Sequence, residues 1–208
     1  MSLVVVNLGL PKTGTTTLAR ALRRASLRTA DHRIRDSHAS EDAPAGAYIA
    51  ELMYDGYFTT GDPAARLTGF QAISELSVLR DGKSLWPQTD FGIINALRTH
   101  HPGIKFLATW RDPFAISQSM LAWSNLGTTR IPAATIPGLP KGYGETTAER
   151  TRWINDHYAH LDAIFAGTDA YLRGDSTRDD APDRSSAFLG RKLPWWGHLN
   201  RNPERVVA

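Results

Sequence analysis

Leu3-Val4-Val5-Val6 runs into Leu8-Gly9-Leu10-Pro11-Lys12-Thr13-Gly14-Thr15-Thr16-Thr17, and a helical pattern (Leu18, Ala19, Ala21, Leu22) follows directly. A β-branched run, a glycine-bearing turn and a helix form the strand–loop–helix unit that cradles phosphate. The glycines let consecutive N–H groups turn into one concavity. The helix start adds partial positive charge. Lys12 adds a full charge, and Thr13, Thr15, Thr16 and Thr17 add hydroxyl donors. Gly9 and Gly14 have the separation found in nucleotide-triphosphate loops, but Thr15 stands where such a loop needs its lysine. The lysine has moved to position 12, ahead of the second glycine.

Outward from this unit, strands and helices alternate. The patterns predict a strand over 3–8, a helix over 15–27, a polar loop over 28–47 and a short helix over 48–58. A second strand, 69–74, ends at Glu75, and a helix over 91–100 stops at His101-Pro102-Gly103. Ile104 to Trp110 is nearly continuous apolar sequence, as buried parallel strands are. Asp112-Pro113 then supplies a cap and a first-turn proline for a helix to about Trp123. The segment 126–144, with Pro132, Pro137, Gly138, Pro140 and Gly142, predicts a loop. A long helix is expected over 145–165, a short strand over 169–172, a charged loop over 173–184 and a helix over 185–189. This alternation predicts an α/β fold of three layers, with a mainly parallel central sheet and a P-loop-like strand–loop–helix phosphate site. Ligands bind such sheets at the carboxyl ends of the strands. The turns at 9–16, 75–77 and 111–113 therefore carry the candidate site. Arg111 stands just beyond a strand, and Ser119 lies on the helix that follows. A guanidinium fork suits a terminal phosphate.

Pro11-Lys12-Thr13-Gly14-Thr15-Thr16 after a first strand resembles the 5′-phosphosulfate loop of sulfotransferases that use 3′-phosphoadenosine 5′-phosphosulfate (PAPS). Arg111 and Ser119 resemble the Arg/Ser pair that holds the 3′-phosphate in that family. Phe188-Leu189-Gly190 and the stretch Pro194 to Asn200 are similar to its late segments, which makes Asn200 and Arg201 cofactor candidates. The resemblance implies in-line sulfuryl transfer to a hydroxyl or amine of a small-molecule or carbohydrate acceptor, with adenosine 3′,5′-bisphosphate as product and no metal. It implies that Lys12 stabilises the leaving group and that Thr13, Gly14, Thr15, Thr16 and Thr17 hold the 5′-phosphate. Family members place a base at the end of the strand between the phosphate motifs. Glu75 stands there in this chain, with Asp31, His32 and His38 as rivals. The stretches 28–68 and 126–184 carry no match. Many members also have a Trp after the Gly-Thr-Thr, where this chain has Thr17, so adenine packing must come from elsewhere.

Two other classes compete. A P-loop kinase or NTPase is opposed by the displaced lysine, by Arg111 with Ser119, and by the lack of a clear strand-end Asp for Mg²⁺. A non-enzymatic phosphate-binding module would keep Lys12 and Arg111 but need no base. The 208 residues suit one domain, 1–208, large enough to bury about 70% of the unfolded surface. With 41% hydrophobic and 22% charged residues, the composition is that of a soluble globular protein. The absence of Cys excludes disulfides and thiolate chemistry and suits a reducing compartment. No apolar run reaches the roughly 18 residues of a membrane helix, and the first run is too short for a signal peptide. Cytoplasmic location, no membrane and no metal are the expectations. A net charge of +3 suits an anionic small ligand and is too small to argue for nucleic acid.

Overall fold

The computed structural model describes residues 2–197. In chain order the strands and helices are β1 (Val5–Asn7), α1 (Thr15–Arg24), β2 (Thr29–Ala30), α2 (Ile49–Thr60), β3 (Ala72–Ile73), β4 (Val78–Arg80), β5 (Lys83–Leu85), α3 (Phe91–His100), β6 (Lys105–Trp110), α4 (Pro113–Leu121), α5 (Ile131–Ala133), α6 (Thr147–Ile164), β7 (Tyr171–Asp175) and α7 (Ala181–Leu189). Five strands form one parallel sheet in the order β2-β3-β1-β6-β7. β4 and β5 form a separate antiparallel hairpin.

Alternation along the strands sends side chains to opposite faces of the sheet. Val6, Ile73, Phe106 and Ala108 pack in one core with Ile93, Leu97, Ile116, Met120, Ile154 and Leu161 from α3, α4 and α6. Val5, Ala72 and Leu107 pack in the other with Leu18, Ala21 and Leu22 of α1, and Phe188 and Leu189 of α7 lie against them. Helices thus cover both faces, which makes the fold α/β.

β1 occupies the middle of the sheet. The chain leaves β1 towards β2 on one side, and leaves β6 towards β7 on the other. The point of reversal lies between β1 and β6, where α/β sheets open a crevice at their carboxyl edge. The loops after these two strands carry Lys12 and Arg111.

Several elements differ from the sequence reading, among them α5 and the turn Leu126–Arg130 inside the loop expected over 126–144. The loop expected over 28–47 contains β2, a two-residue strand whose pairing comes from β3; so short an element leaves no periodicity. The hairpin β4–β5 was not anticipated, although its turn is Asp81-Gly82 with positive φ at both residues (55° and 75°), a common hairpin signal. β7 runs on to Asp175, and α7 begins at Ala181, so the expected charged loop is short. Among the described residues, no helix is long and apolar enough to cross a membrane.

Candidate anion site at the carboxyl edge of the sheet

The loop 8–14 owes its shape to buried hydrogen bonds from distant parts of the chain. Asn7 is fully buried at the end of β1. Its Oδ1 accepts from Gly9 N (3.1 Å) and Thr109 N (3.0 Å), and its Nδ2 donates to Ser74 O (3.2 Å). One side chain therefore fastens the ends of β1, β3 and β6, the three strands that lead to Lys12, Glu75 and Arg111. Tyr158 on α6 accepts from Leu10 N (3.2 Å) and donates to Thr109 O (2.7 Å). His157 donates from Nε2 to Leu8 O (2.9 Å), and burial pushes its pKa down to about 4. Ser176, just past β7, donates to Thr13 O (2.6 Å). Gly9 has no room for a side chain, because a Cβ would sit 2.6 Å from Thr109 O. Gly14 has φ +106°, and a Cβ there would sit 2.7 Å from Ser176 Oγ.

Lys12 adopts φ 72°, a left-handed conformation that a non-glycine residue rarely takes. Its Nζ lies 3.4 Å from the ring centroid of Trp123, which is 41% exposed. Burial first, and then the nearby Arg111 charge, lower the Lys12 pKa to about 8; Glu75 opposes them. The Arg111 guanidinium bends back onto the start of α4, where Nη2 donates to Ala115 O (2.7 Å). Its buried Nε has no acceptor among the described residues. Burial also holds its pKa below the usual range, against the pull of Asp112 and Asp175. Neither Lys12 nor Arg111 forms an ion pair among the described residues.

Glu75 follows β3. Its Oε1 accepts from Ser77 N (3.0 Å) and Ser77 Oγ (2.6 Å). Burial pushes its pKa up to about 7, although bonds from Ser77 and Thr15 favour the carboxylate. Lys12, Arg111 and Glu75 are thus electrostatic neighbours across three strand ends.

The four threonines have separate fates. Thr13 donates its proton to Leu10 O (2.6 Å) and is fully buried. Thr17 donates its proton to Gly197 O (2.7 Å). Both were expected to offer hydroxyls to a ligand; in the structure Thr13 bonds within the loop and Thr17 ties α1 to the chain after α7. Thr15 bonds to Glu75, and Thr16 is half-buried at the start of α1. Ser119 is half-buried on α4, two turns beyond Arg111.

The rival bases also separate. His32 sits at the end of β2 with φ 60° and donates from Nδ1 to Ser77 O (3.2 Å), so Nε2 carries the free lone pair. Burial keeps its pKa below the usual value. Asp31 is engaged by Arg23 (3.3 Å). His38 packs against Phe70, beside Arg28, at the amino edge of the sheet and away from Lys12. Asn200 and Arg201 lie outside the described residues.

The sequence reading missed Asn7, Thr109, Tyr158 and Ser176. Nothing local marks them, because the bonds by which they tie the strands and loop together span 49 to 163 residues of chain. It also missed Trp123, whose role depends on where α4 ends. α1 has no side-chain cap and no acidic residue in its first turn, whereas α3, α4 and α6 are capped by Asp90, Asp112 and Thr146. The start of α1 therefore carries neither a capping side chain nor an acidic residue that would compete with an anion. No model of a known protein family matches this chain, and neither does any curated protein.

Proposed function

We propose that the chain is a transferase that moves a sulfuryl group from PAPS to a hydroxyl or amine of a small-molecule or carbohydrate acceptor. The observation that carries this reading is the meeting of Lys12 and Arg111. Two cations reach the carboxyl edge from opposite sides of the switch point, neither in an ion pair among the described residues. The buried Arg111 Nε lacks an acceptor as well. A buried donor without a partner costs about 1–3 kcal/mol, which an anionic oxygen would recover. Two separate cations suit a donor with phosphates at two separate positions.

The residues fit that donor. When bound, it supplies the sulfuryl group and a bisphosphate leaving group. The uncapped start of α1, with Thr15 and Thr16, holds the 5′-phosphate, while Arg111 and Ser119 hold the 3′-phosphate. Lys12 stabilises charge that gathers on the bridging oxygen. Thr17 is pinned to Gly197, which brings Trp196 beside α1. Trp196 supplies the aromatic surface that position 17 lacks. Glu75 takes the proton of the acceptor hydroxyl, a role suited to a carboxylate whose pKa lies near neutrality.

A thermal-shift titration tests the donor. Adenosine 3′,5′-bisphosphate raises the unfolding midpoint of the wild-type chain, and ATP·Mg²⁺ raises it much less. Stabilisation by ATP·Mg²⁺ alone refutes the reading. Arg111→Ala is expected to weaken the bisphosphate by at least tenfold.

A further inference from the structure

Around the hairpin β4–β5 the carboxylates are already engaged. Asp81 accepts from Tyr48 Oη (2.8 Å) and pairs with Arg33 (3.3 Å), and Glu51 pairs with Lys83 (2.6 Å). Two cations remain. Arg80 ends β4, is exposed, and its side chain makes no ion pair or hydrogen bond among the described residues. Arg130 closes the turn Leu126–Arg130 and donates from Nη1 to Leu79 O (2.8 Å). Its buried Nε has no acceptor among the described residues. The bond to Leu79 O sets Arg130 beside Arg80, the two guanidinium groups repel each other, and no carboxylate among the described residues offsets the repulsion at Arg130.

This pair is joined to Glu75 by the short segment 76–79. Ser77 binds the Glu75 carboxylate and accepts from His32, and β4 begins at the next residue. From Ser77 the three residues to Arg80 span about 10 Å of extended chain. Arg80 also acts electrostatically on His32. On the other side, residues 123–130 run from Trp123, over Lys12, to Arg130 on the hairpin. Arg80 thus lies three residues from the serine that binds Glu75, and Arg130 is bonded to the residue before Arg80. Two neighbouring guanidiniums with no counter-ion, one of them with an orphaned buried donor, suit an anion brought by a ligand.

Resting on the transfer reaction above, we propose that the acceptor is itself an anion: a hydroxyl compound whose carboxylate or phosphate is received by Arg80 and Arg130 while its hydroxyl reaches Glu75.

The test uses the Lys12→Ala/Arg111→Ala chain, which lacks the first pair of cations. It is titrated at constant ionic strength with glucuronate, glucose 6-phosphate and glucose, and the unfolding midpoint is read. At least one acid is expected to raise the midpoint saturably while glucose does not, and the acid that acts at lower concentration identifies the anionic group. Adding Arg80→Ala, which removes a side chain that holds nothing, is expected to weaken the apparent affinity at least tenfold. Arg130→Lys, which keeps a cation beside Leu79 O, is a second variant expected to weaken it. No shift with either acid, an equal shift with glucose, or a shift indifferent to both arginine variants overturns the proposal. On the wild-type chain saturated with adenosine 3′,5′-bisphosphate, the acids are expected to add their own shift, and competition between the two ligands also overturns it. If the bisphosphate fails to bind while the acids still respond to Arg80, the donor reading falls and the anion site stands.

Discussion

At the scale of single residues, Lys12 and Glu75 titrate within about a unit of each other. Lys12 must be charged to hold an anion, and its pKa lies at about 8. Its contribution to affinity is therefore complete below pH 8 and is lost as the pH rises through that value. Bisphosphate affinity measured by calorimetry from pH 6.5 to 9.5 is expected to fall by at least tenfold above pH 8. In Lys12→Arg, whose guanidinium does not titrate there, this fall disappears; an unchanged fall shows that another group controls it. Lys12 also carries a cost, since it is a half-buried charge in a left-handed backbone conformation. Lys12→Met keeps the chain length and removes the charge. Its midpoint without ligand is expected to equal or exceed that of the wild type, while stabilisation by the bisphosphate is lost. Lys12 could be singled out from sequence because a loop of this composition implies a cation. Its contact with Trp123 could not, because a side-chain contact across 111 positions leaves no local pattern.

At the scale of elements, the strand–loop–helix unit was readable because its parts are adjacent in sequence. α3 was readable to its ends, Phe91 and His100, because one apolar face and a His-Pro-Gly stop agree, and the structure adds an Asp90 cap at its start. β2 was not found, because a two-residue strand depends on a partner elsewhere; the hairpin was missed although its Asp81-Gly82 turn is a local signal. The loop itself is held so closely that small additions should disrupt it. Gly14→Ala forces a Cβ to 2.7 Å from Ser176 Oγ and places an ordinary residue at φ +106°. The expected loss is about 1–3 kcal/mol, read by urea unfolding. Because Ser176 is what holds Thr13 O, bisphosphate binding should weaken as well. A loss below 0.5 kcal/mol, roughly the scale of neutral surface changes, means that the loop relaxes freely.

At the scale of the whole molecule, two buried groups oppose each other in their dependence on pH. The pKa of His157 falls from 6.5 to about 4 on folding. As the pH drops through that window the unfolded chain takes up a proton that the folded chain refuses, so stability is lost. The pKa of Glu75 rises from 4.5 to about 7. As the pH drops from 7 the folded chain takes up the proton first, so stability is gained. In the wild type the two slopes offset each other between about 4.5 and 6.5. Relative to wild type, His157→Gln is expected to gain stability on acidification through this range, and Glu75→Gln is expected to lose more. Urea midpoints at pH 4.5, 5.5 and 6.5 decide this, and parallel curves for the three chains refute it.

The loop 8–14 is synthesised before the residues that hold it, and it acquires its shape only after they have arrived. Its carbonyls and N–H groups are held by Tyr158 and Ser176, 148 and 163 residues further along the chain. Contacts this distant form only after the entropy of closing the intervening chain has been overcome. On a ribosome, strand β1 and helix α1 would emerge with the anion cradle between them unformed. On the proposed reading, affinity for phosphate would then appear only when the chain as far as Ser176 has folded, so that ligand binding would report completion of the fold.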